Sequence, residues 1–553
     1  MMCYTNLRPI TGGKRSAMDD TIHAPRVGQV RHVAEYAFHS AKAYDNAFGD
    51  VVVYAELEGP HGQRARMPAF YDGDGTWRLR ISPGEAGEWH LRLVSSPMDP
   101  ALSWEGSFSV APAEVRGFLV ATPDRGWGLS YESGEEAFIL GDTVYNLFGM
   151  AHCGADTQQF LKRREAQGFS LLRVRVPVSP FHPPEGYSAW QTRRTWPWGG
   201  SEQAPLFDRF NLDYFATVDR VVSQAEVLGI GLEMILEAWG FEYPFNRRDV
   251  FLPEWEELWL RYIIARYDAY SCISIWTLMN EYEYYPDGDW RYNPVADRWA
   301  LRMARWLKST APHGHIVAVH NGPRTPPFAR RFAADPGAID LVLYQEWGTR
   351  DRELGWLAAG IEESLRESLE GWPGAAVFAE WGYERNPAFP LLIPSHAYCD
   401  REHTRRGAWR GVFTCHGIIH GFENSWGPFL DLENDQAGLE QLLILRRFVL
   451  EVVPFAELRV ADELLAADDV SYAPGRRPLV IASESRTTVA AYLPAGGAIQ
   501  LGLPVWEYEA CWFDPLSGAG ERAQPQGQAF HCPGGIVEGH PKDWVLLLCA
   551  RNR

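Results

Sequence analysis

Near the start of the chain, hydrophobic and polar positions alternate with period two in short runs such as VVVYAEL from Val51, WRLRISP from Trp77 and WHLRLVSS from Trp89. The segments GPHG, YDGDGT and PGEAGE separate them, each carrying the Gly, Pro or Asp that a chain reversal favours. Alternation turns one face of every strand to a core and the other to water. Residues 24–112 are therefore expected to form a β-sandwich.

From Phe138 the rhythm changes. Short continuous apolar runs, of the kind found in strands buried on both faces, alternate with amphipathic stretches such as LDYFATVDRVVSQAEVLG and EWEELWLRYIIARYDAY. That is the pattern of βα units around a parallel sheet. Eight candidate strands follow in order: Phe138–Thr143, Leu171–Val176, Leu232–Trp239, Ile273–Glu281, Ile316–Asn321, Leu341–Trp347, Ala375–Trp381 and Ile418–Trp426. They predict a (β/α)8 TIM barrel over residues 113–453, larger by its insertions than the usual size of about 250 residues. The Trp- and Pro-rich stretch from Gly186 to Pro205 reads as a long loop beside a substrate cleft. Residues 454–553 return to short strands, RPLVIASES and DWVLLLCA among them, and predict a C-terminal β-sandwich. The expected class is thus α/β, a barrel flanked by two β-sandwich domains.

Composition narrows the function. With 52 Lys plus Arg against 71 Asp plus Glu the net charge is -19, which disfavours a phosphate-rich partner and so nucleic acid. The eight cysteines form no C-x-x-C pair, which suits a reducing compartment. No secretory leader or run of about 18 apolar residues is found, so a cytoplasmic protein without a membrane partner is expected. The sequence is compatible with a homo-oligomer. Aromatic residues make up 13%, including 23 tryptophans, and their flat faces can stack on sugar rings. H-E-x-x-H, P-loop and strand-linked G-x-G-x-x-G motifs are absent, so neither a metal nor a cofactor is expected.

Barrel active sites lie at the C-terminal ends of the strands. Glu281 ends the fourth candidate strand and Glu380 the seventh, and their spacing matches three βα units of about 31 residues each. Retaining cleavage of a glycosidic bond needs two carboxyl groups about 5 to 5.5 Å apart, one a nucleophile and the other an acid and then a base. Strands four and seven can present such a pair across the barrel mouth.

Three stretches carry a family resemblance: NAFGDVVVYAELEGPHG with MPAFYDGDGTWRLRISPGEAGEWHLRL in the N-terminal domain, LSYESGEEAFILGDTVYNLFGM at the first barrel strand, and WTLMNE with AVFAEW at strands four and seven. They resemble apiosidase-like glycoside hydrolases, within the larger clan of barrel glycosidases whose acid/base follows an asparagine on strand four. The resemblance implies Glu281 as acid/base, Glu380 as nucleophile and Asn280 as the residue that meets the sugar 2-hydroxyl. It also implies Arg175 as the strand-two arginine supporting the nucleophile and Tyr344 as a tyrosine donating to it. Asp142, in the Gly141-Asp142-Thr143 triplet, is placed to meet a substrate hydroxyl or to orient an arginine. Glu237, Trp239, His320, Asn321, Gln345, Glu346 and Trp426 complete the candidate substrate-binding set.

Each candidate also has a plainer reading, an ion pair or cap beneath the barrel mouth, and Glu283 rivals Glu281 because residues two apart share a strand face. The expected partner is a carbohydrate or glycoside, and import into the cytoplasm would favour a short oligosaccharide or plant glycoside. A transglycosylase using the same carboxylates, or a non-catalytic carbohydrate-binding barrel, remains an alternative.

Overall fold

The computed structural model describes residues 22–23, 27–124, 127–178, 195–240, 242–286, 291–322, 325–350, 357–359, 361–387, 398–426, 434–466, 472 and 475–551. The chain divides into two compact units, Met1–Ala113 and Glu114–Arg553.

In the first unit, Val52–Glu58 and Gly87–Ser96 pair antiparallel within a five-stranded sheet, and Ala34–His39 pairs Thr76–Ile81 within a four-stranded one. The alternation in sequence becomes alternation in burial. Val53, Ala55 and Leu57 from the first sheet share one core with Tyr36, Phe38, Trp77 and Leu79 from the second. Glu56 and Glu58, one position out of phase, face water.

The second unit is built on a closed parallel barrel. Its strands are β1 (Ile139–Thr143), β2 (Leu171–Arg175), β3 (Gly231–Trp239), β4 (Ile273–Asn280), β5 (Ile316–His320), β6 (Leu341–Gln345), β7 (Ala375–Glu380) and β8 (Gly417–Phe422). They pair in sequence order, and β8 pairs back with β1, Ile139 opposite Gly417 and Asp142 opposite His420. All eight are buried along their length, as a parallel sheet covered on the outside requires.

Helices between the strands begin and end where the sequence can satisfy exposed backbone groups. Asn211 caps Leu212–Leu228 by accepting from Tyr214 N, and Gly229, at φ 69°, stops it in a conformation that costs glycine little. Inside the barrel, Ile139, Leu171, Ile275, Ile316, Ala318, Leu341, Leu343, Ala375, Val377, Ala379 and Ile419 pack as one cluster. Leu119 and Leu129, from the hairpin of Leu119–Ala121 and Leu129–Tyr131 that precedes β1, join it and close the N-terminal end. Polar side chains are left to gather at the other end.

After the barrel, a six-stranded and a three-stranded sheet enclose a core that includes Val480, Leu493, Trp512, Phe530 and Leu546. This region is anchored on the helix Arg401–Val412: buried Arg405 pairs with buried Asp543 at 2.9 Å, and Trp409 stacks on Tyr492 with ring centroids 5.8 Å apart. Among the described residues no helix is long and apolar enough to cross a membrane.

Part of the loop expected at Gly186–Pro205 is regular structure: Trp198–Ser201 and Ala204–Phe210 form an antiparallel ribbon. Trp198 is buried, its ring 4.5 Å from that of Trp259. Residues 186–194 lie outside the described set.

Candidate active site

Glu281 follows β4 directly and Glu380 ends β7. Both are nearly buried, at 7% and 5% exposure. Glu281 takes φ 49° and ψ 51°, a left-handed conformation that costs a non-glycine residue about 1 to 3 kcal/mol and is concentrated at functional positions. Each glutamate also lies beside a register break. The β3–β4 ladder shifts between the pairs Glu237–Met279 and Trp239–Asn280, and the β6–β7 ladder shifts between Tyr344–Phe378 and Gln345–Glu380. Such bulges re-aim the side chains that follow them.

Glu380 is held by donors from four directions. Tyr145 Oη donates to Oε2 at 3.2 Å and Arg173 Nη1 to the same oxygen at 3.3 Å; Gln345 Nε2 donates to Oε1 at 3.0 Å and Trp347 Nε1 at 3.3 Å. Arg173 is fully buried on β2, and its other terminal nitrogen donates to Asn280 Oδ1. That bond orients the Asn280 amide, whose Nδ2 has no partner among the described residues. Gln345 is also close enough to Glu281 to favour its ionised form, so one side chain lies near both carboxyl groups.

The two carboxyls do not share one proton affinity. Burial, and after it the charge of Glu380, raises Glu281 to about 8, against the opposing pull of Gln345 and Arg173. Glu380 is also raised by burial, but Arg173, Tyr383, Tyr145 and Trp347 all favour its ionised form. The arrangement places the higher proton affinity on Glu281 and directs the stabilising donors to Glu380. Among the described residues no group of three or more His, Cys, Asp or Glu side chains is placed to hold a metal ion.

The model of the apiosidase-like catalytic domain matches residues 124–435, and that of a domain of unknown function (DUF5060) matches residues 29–96. The chain belongs to the apiosidase-like family. Its fold is shared with a candidate glycoside hydrolase from Bacteroides vulgatus, at 17% identity, TM-score 0.67, 95% of this chain and 100% of the other. A family 5 glycoside hydrolase from the same organism aligns at 17% identity and TM-score 0.56 over 79% of this chain and 94% of the other. No curated protein matches.

In this apiosidase-like barrel the residues expected from sequence separate into two groups. Asn280, Gln345 and His320 join the glutamates. His320 Nε2 lies 3.9 Å from Glu380 Oε2, and burial, followed by the charge of Arg173, pushes the imidazole well below its ordinary pKa, so it is neutral.

The others are engaged elsewhere. Arg175, expected to support the nucleophile, instead pairs with Glu242 at 3.2 Å and lies over the rings of Tyr145 and Trp239. Arg173, two positions earlier, makes the contact with Glu380. Tyr344 bonds Ser364 Oγ at 2.6 Å and accepts from Ser368 Oγ at 3.0 Å, and Tyr145 supplies the hydroxyl at Glu380 that was expected of it. Asp142 orients an arginine: it accepts from Arg164 Nε at 2.8 Å and from Ser425 Oγ at 2.9 Å.

Glu237 pairs with Arg248 at 2.9 Å, and the Trp239 ring meets the edge of Tyr145 at 5.6 Å. The Asn321 side chain secures backbone, accepting from Gln345 N at 2.8 Å and donating to Gly322 O at 2.6 Å. Glu346 accepts from Gly348 N and Ser364 Oγ, both at 2.8 Å. Glu283, the rival to Glu281, is bound by Arg331 and by Gly322 N, each at 2.8 Å. The side chain of Trp426 lies outside the described residues.

Arg173, Tyr145, Trp347 and Tyr383 were not singled out from sequence. The available signal for Arg173 was the alternation of LLRVRV, which places it on the face of Leu171, a residue of the barrel interior.

Proposed function

We propose that this apiosidase-like protein is a retaining glycoside hydrolase in which Glu380 attacks the anomeric carbon and Glu281 first protonates the leaving oxygen and then deprotonates water. The observation that carries the reading is the proximity of the two carboxyls: the charge of Glu380 raises Glu281, and Gln345, which donates to Glu380 Oε1 at 3.0 Å, acts on both. Double displacement uses carboxyls about 5 to 5.5 Å apart, whereas inversion needs about 6.5 to 9.5 Å to admit a water. The raised proton affinity of Glu281 and the donors converging on Glu380 support the same division of roles.

Asn280, its amide fixed by Arg173, has a free N–H to offer the hydroxyl beside the anomeric carbon. Such a contact strengthens as positive charge develops in the ring. The substrate proposed is a short oligosaccharide or plant glycoside. The test is a screen of aryl glycosides and plant disaccharide glycosides with the first-formed anomer followed by NMR. Retention supports the reading; inversion, or no cleavage of any glycoside, refutes it.

A further inference from the structure

We propose that Glu233 is a positioning residue that shares Arg173 with Glu380 and thereby sets how firmly the guanidinium holds the nucleophile. The inference rests on the hydrolase reading of Glu281 and Glu380. Glu233 pairs in register with Arg173 across the β2–β3 ladder and is fully buried. Its Oε1 lies 3.4 Å from Arg173 Nε and accepts from Thr277 Oγ1 at 2.8 Å, while Oε2 has no partner among the described residues. On its other edge Arg173 reaches Glu380 Oε2 at 3.3 Å. One buried cation therefore stands at nearly equal distances from two carboxyl groups. The remaining groups facing it are Tyr145, Tyr383 and Asn280, with His320 neutral nearby.

Neutralising Arg173 does not require Glu233, because Glu380 already supplies a counter-charge. Deeper in the same interior, the strands present Ile, Leu, Val and Ala, and an apolar side chain at 233 would avoid burying an oxygen without a partner. A carboxyl retained at that cost has a use in dividing the charge. When Glu233 is ionised, Arg173 is shared, and Glu380 is a less stabilised and more nucleophilic anion. When Glu233 is protonated, the whole charge of Arg173 falls on Glu380, whose better stabilised anion reacts more slowly. Burial, opposed by Arg173 and Thr277, brings Glu233 to about 7, so both states are populated near neutrality through exchange of the proton with solvent.

The test compares wild type with Glu233→Gln, which keeps the shape and can still accept from Thr277. With a dinitrophenyl glycoside of the sugar found in the screen, whose leaving group needs no proton, kcat/KM of wild type should rise about fivefold to tenfold as pH passes through about 7. The variant should stay on the lower plateau and converge with wild type below that pH. Independently of turnover, the infrared difference between wild type and Glu233→Gln should contain one buried carboxyl carbonyl band that disappears near pH 7, beside the bands of Glu384 and Glu281 common to both. If Glu233→Gln does not fold, Thr277→Val removes a donor to the Glu233 anion and should move the same step to higher pH.

A uniform loss at all pH values, a step unmoved by either variant, or no titrating carbonyl band in the difference between wild type and Glu233→Gln overturns the proposal. Wild-type turnover in both Glu281→Gln and Glu380→Gln would instead refute the hydrolase reading, whatever Glu233 does.

Discussion

Arg173 Nη1 donates to Glu380 Oε2 at 3.3 Å while Nη2 donates to Asn280, so a single guanidinium ties together the ends of β2, β4 and β7. A planar fork can meet both partners at once; an ammonium cannot. Arg173→Lys should therefore keep the charge and the fold and lose about 100-fold or more in kcat/KM, comparable to removal of one donor from a preorganised site. Arg175→Lys, whose hydrogen bond goes to Glu242, should lose less than about tenfold. Steady-state kinetics of the two purified variants decides the matter, and a larger loss for Arg175→Lys would contradict the arrangement.

In the proposed mechanism the paired carboxyls set the pH profile. Glu281 must hold its proton to act as an acid, so kcat/KM on substrates with poor leaving groups should fall as pH rises past about 8. Glu380 must be ionised, and because burial raises it, the acid limb should lie above the ordinary glutamate value. The two steps belong to the coupled pair. Glu380→Gln removes a charge that raises Glu281, so the Glu281 carboxyl, followed by NMR, should titrate lower in that variant.

Stability carries the same sign. A carboxyl raised in the folded state binds protons there that it releases on unfolding, so its contribution is present below the unfolded value of 4.5 and is lost as pH rises through about 8. Glu281→Gln should therefore gain in melting temperature relative to wild type between pH 5 and pH 9, as measured by thermal unfolding across that range.

Most of the barrel was legible because both periodicities survive folding: β1 to β8 fall on the eight apolar runs, within about two residues at their ends except for β8, which stops at Phe422 where the short helix Glu423–Trp426 replaces the expected strand end. What misled was the facing of residues near strand ends. Ile139 and Leu343 point into the barrel, so Asp142 and Tyr344, of opposite parity, face the surrounding helices, where they find Arg164 and Ser364. Strict alternation would have turned Glu380 outward as well, since Ala375, Val377 and Ala379 are interior. The register break beside Gln345 is what returns it to the mouth, and a bulge of that kind has no signature in one sequence. Arg173 and Arg175 share a parity, and only depth along the strand separates them.

The two tyrosines test this directly. Tyr145→Phe removes a donor to Glu380 and should lower kcat/KM by about tenfold to a hundredfold with little change in melting temperature. Tyr344→Phe should leave kinetics near wild type and cost about 1 kcal/mol of stability through its lost bonds to Ser364 and Ser368. Reversed outcomes would restore Tyr344 to the site.

The roles of Glu281 and Glu380 are separated by how each variant fails and by what rescues it. Without a nucleophile no covalent intermediate forms, so Glu380→Ala should lose nearly all turnover on every substrate. Glu281→Ala should be crippled on natural glycosides, whose leaving oxygen needs a proton, yet still form the intermediate from activated aryl glycosides. Azide needs no base to attack. In Glu281→Ala it should enter on the face that water normally uses and give a glycosyl azide of retained configuration. In Glu380→Ala it should occupy the space of the missing carboxylate, attack directly and give inversion. Product configuration by NMR reads out each case, and the opposite pairing of variant and stereochemistry would exchange the two roles.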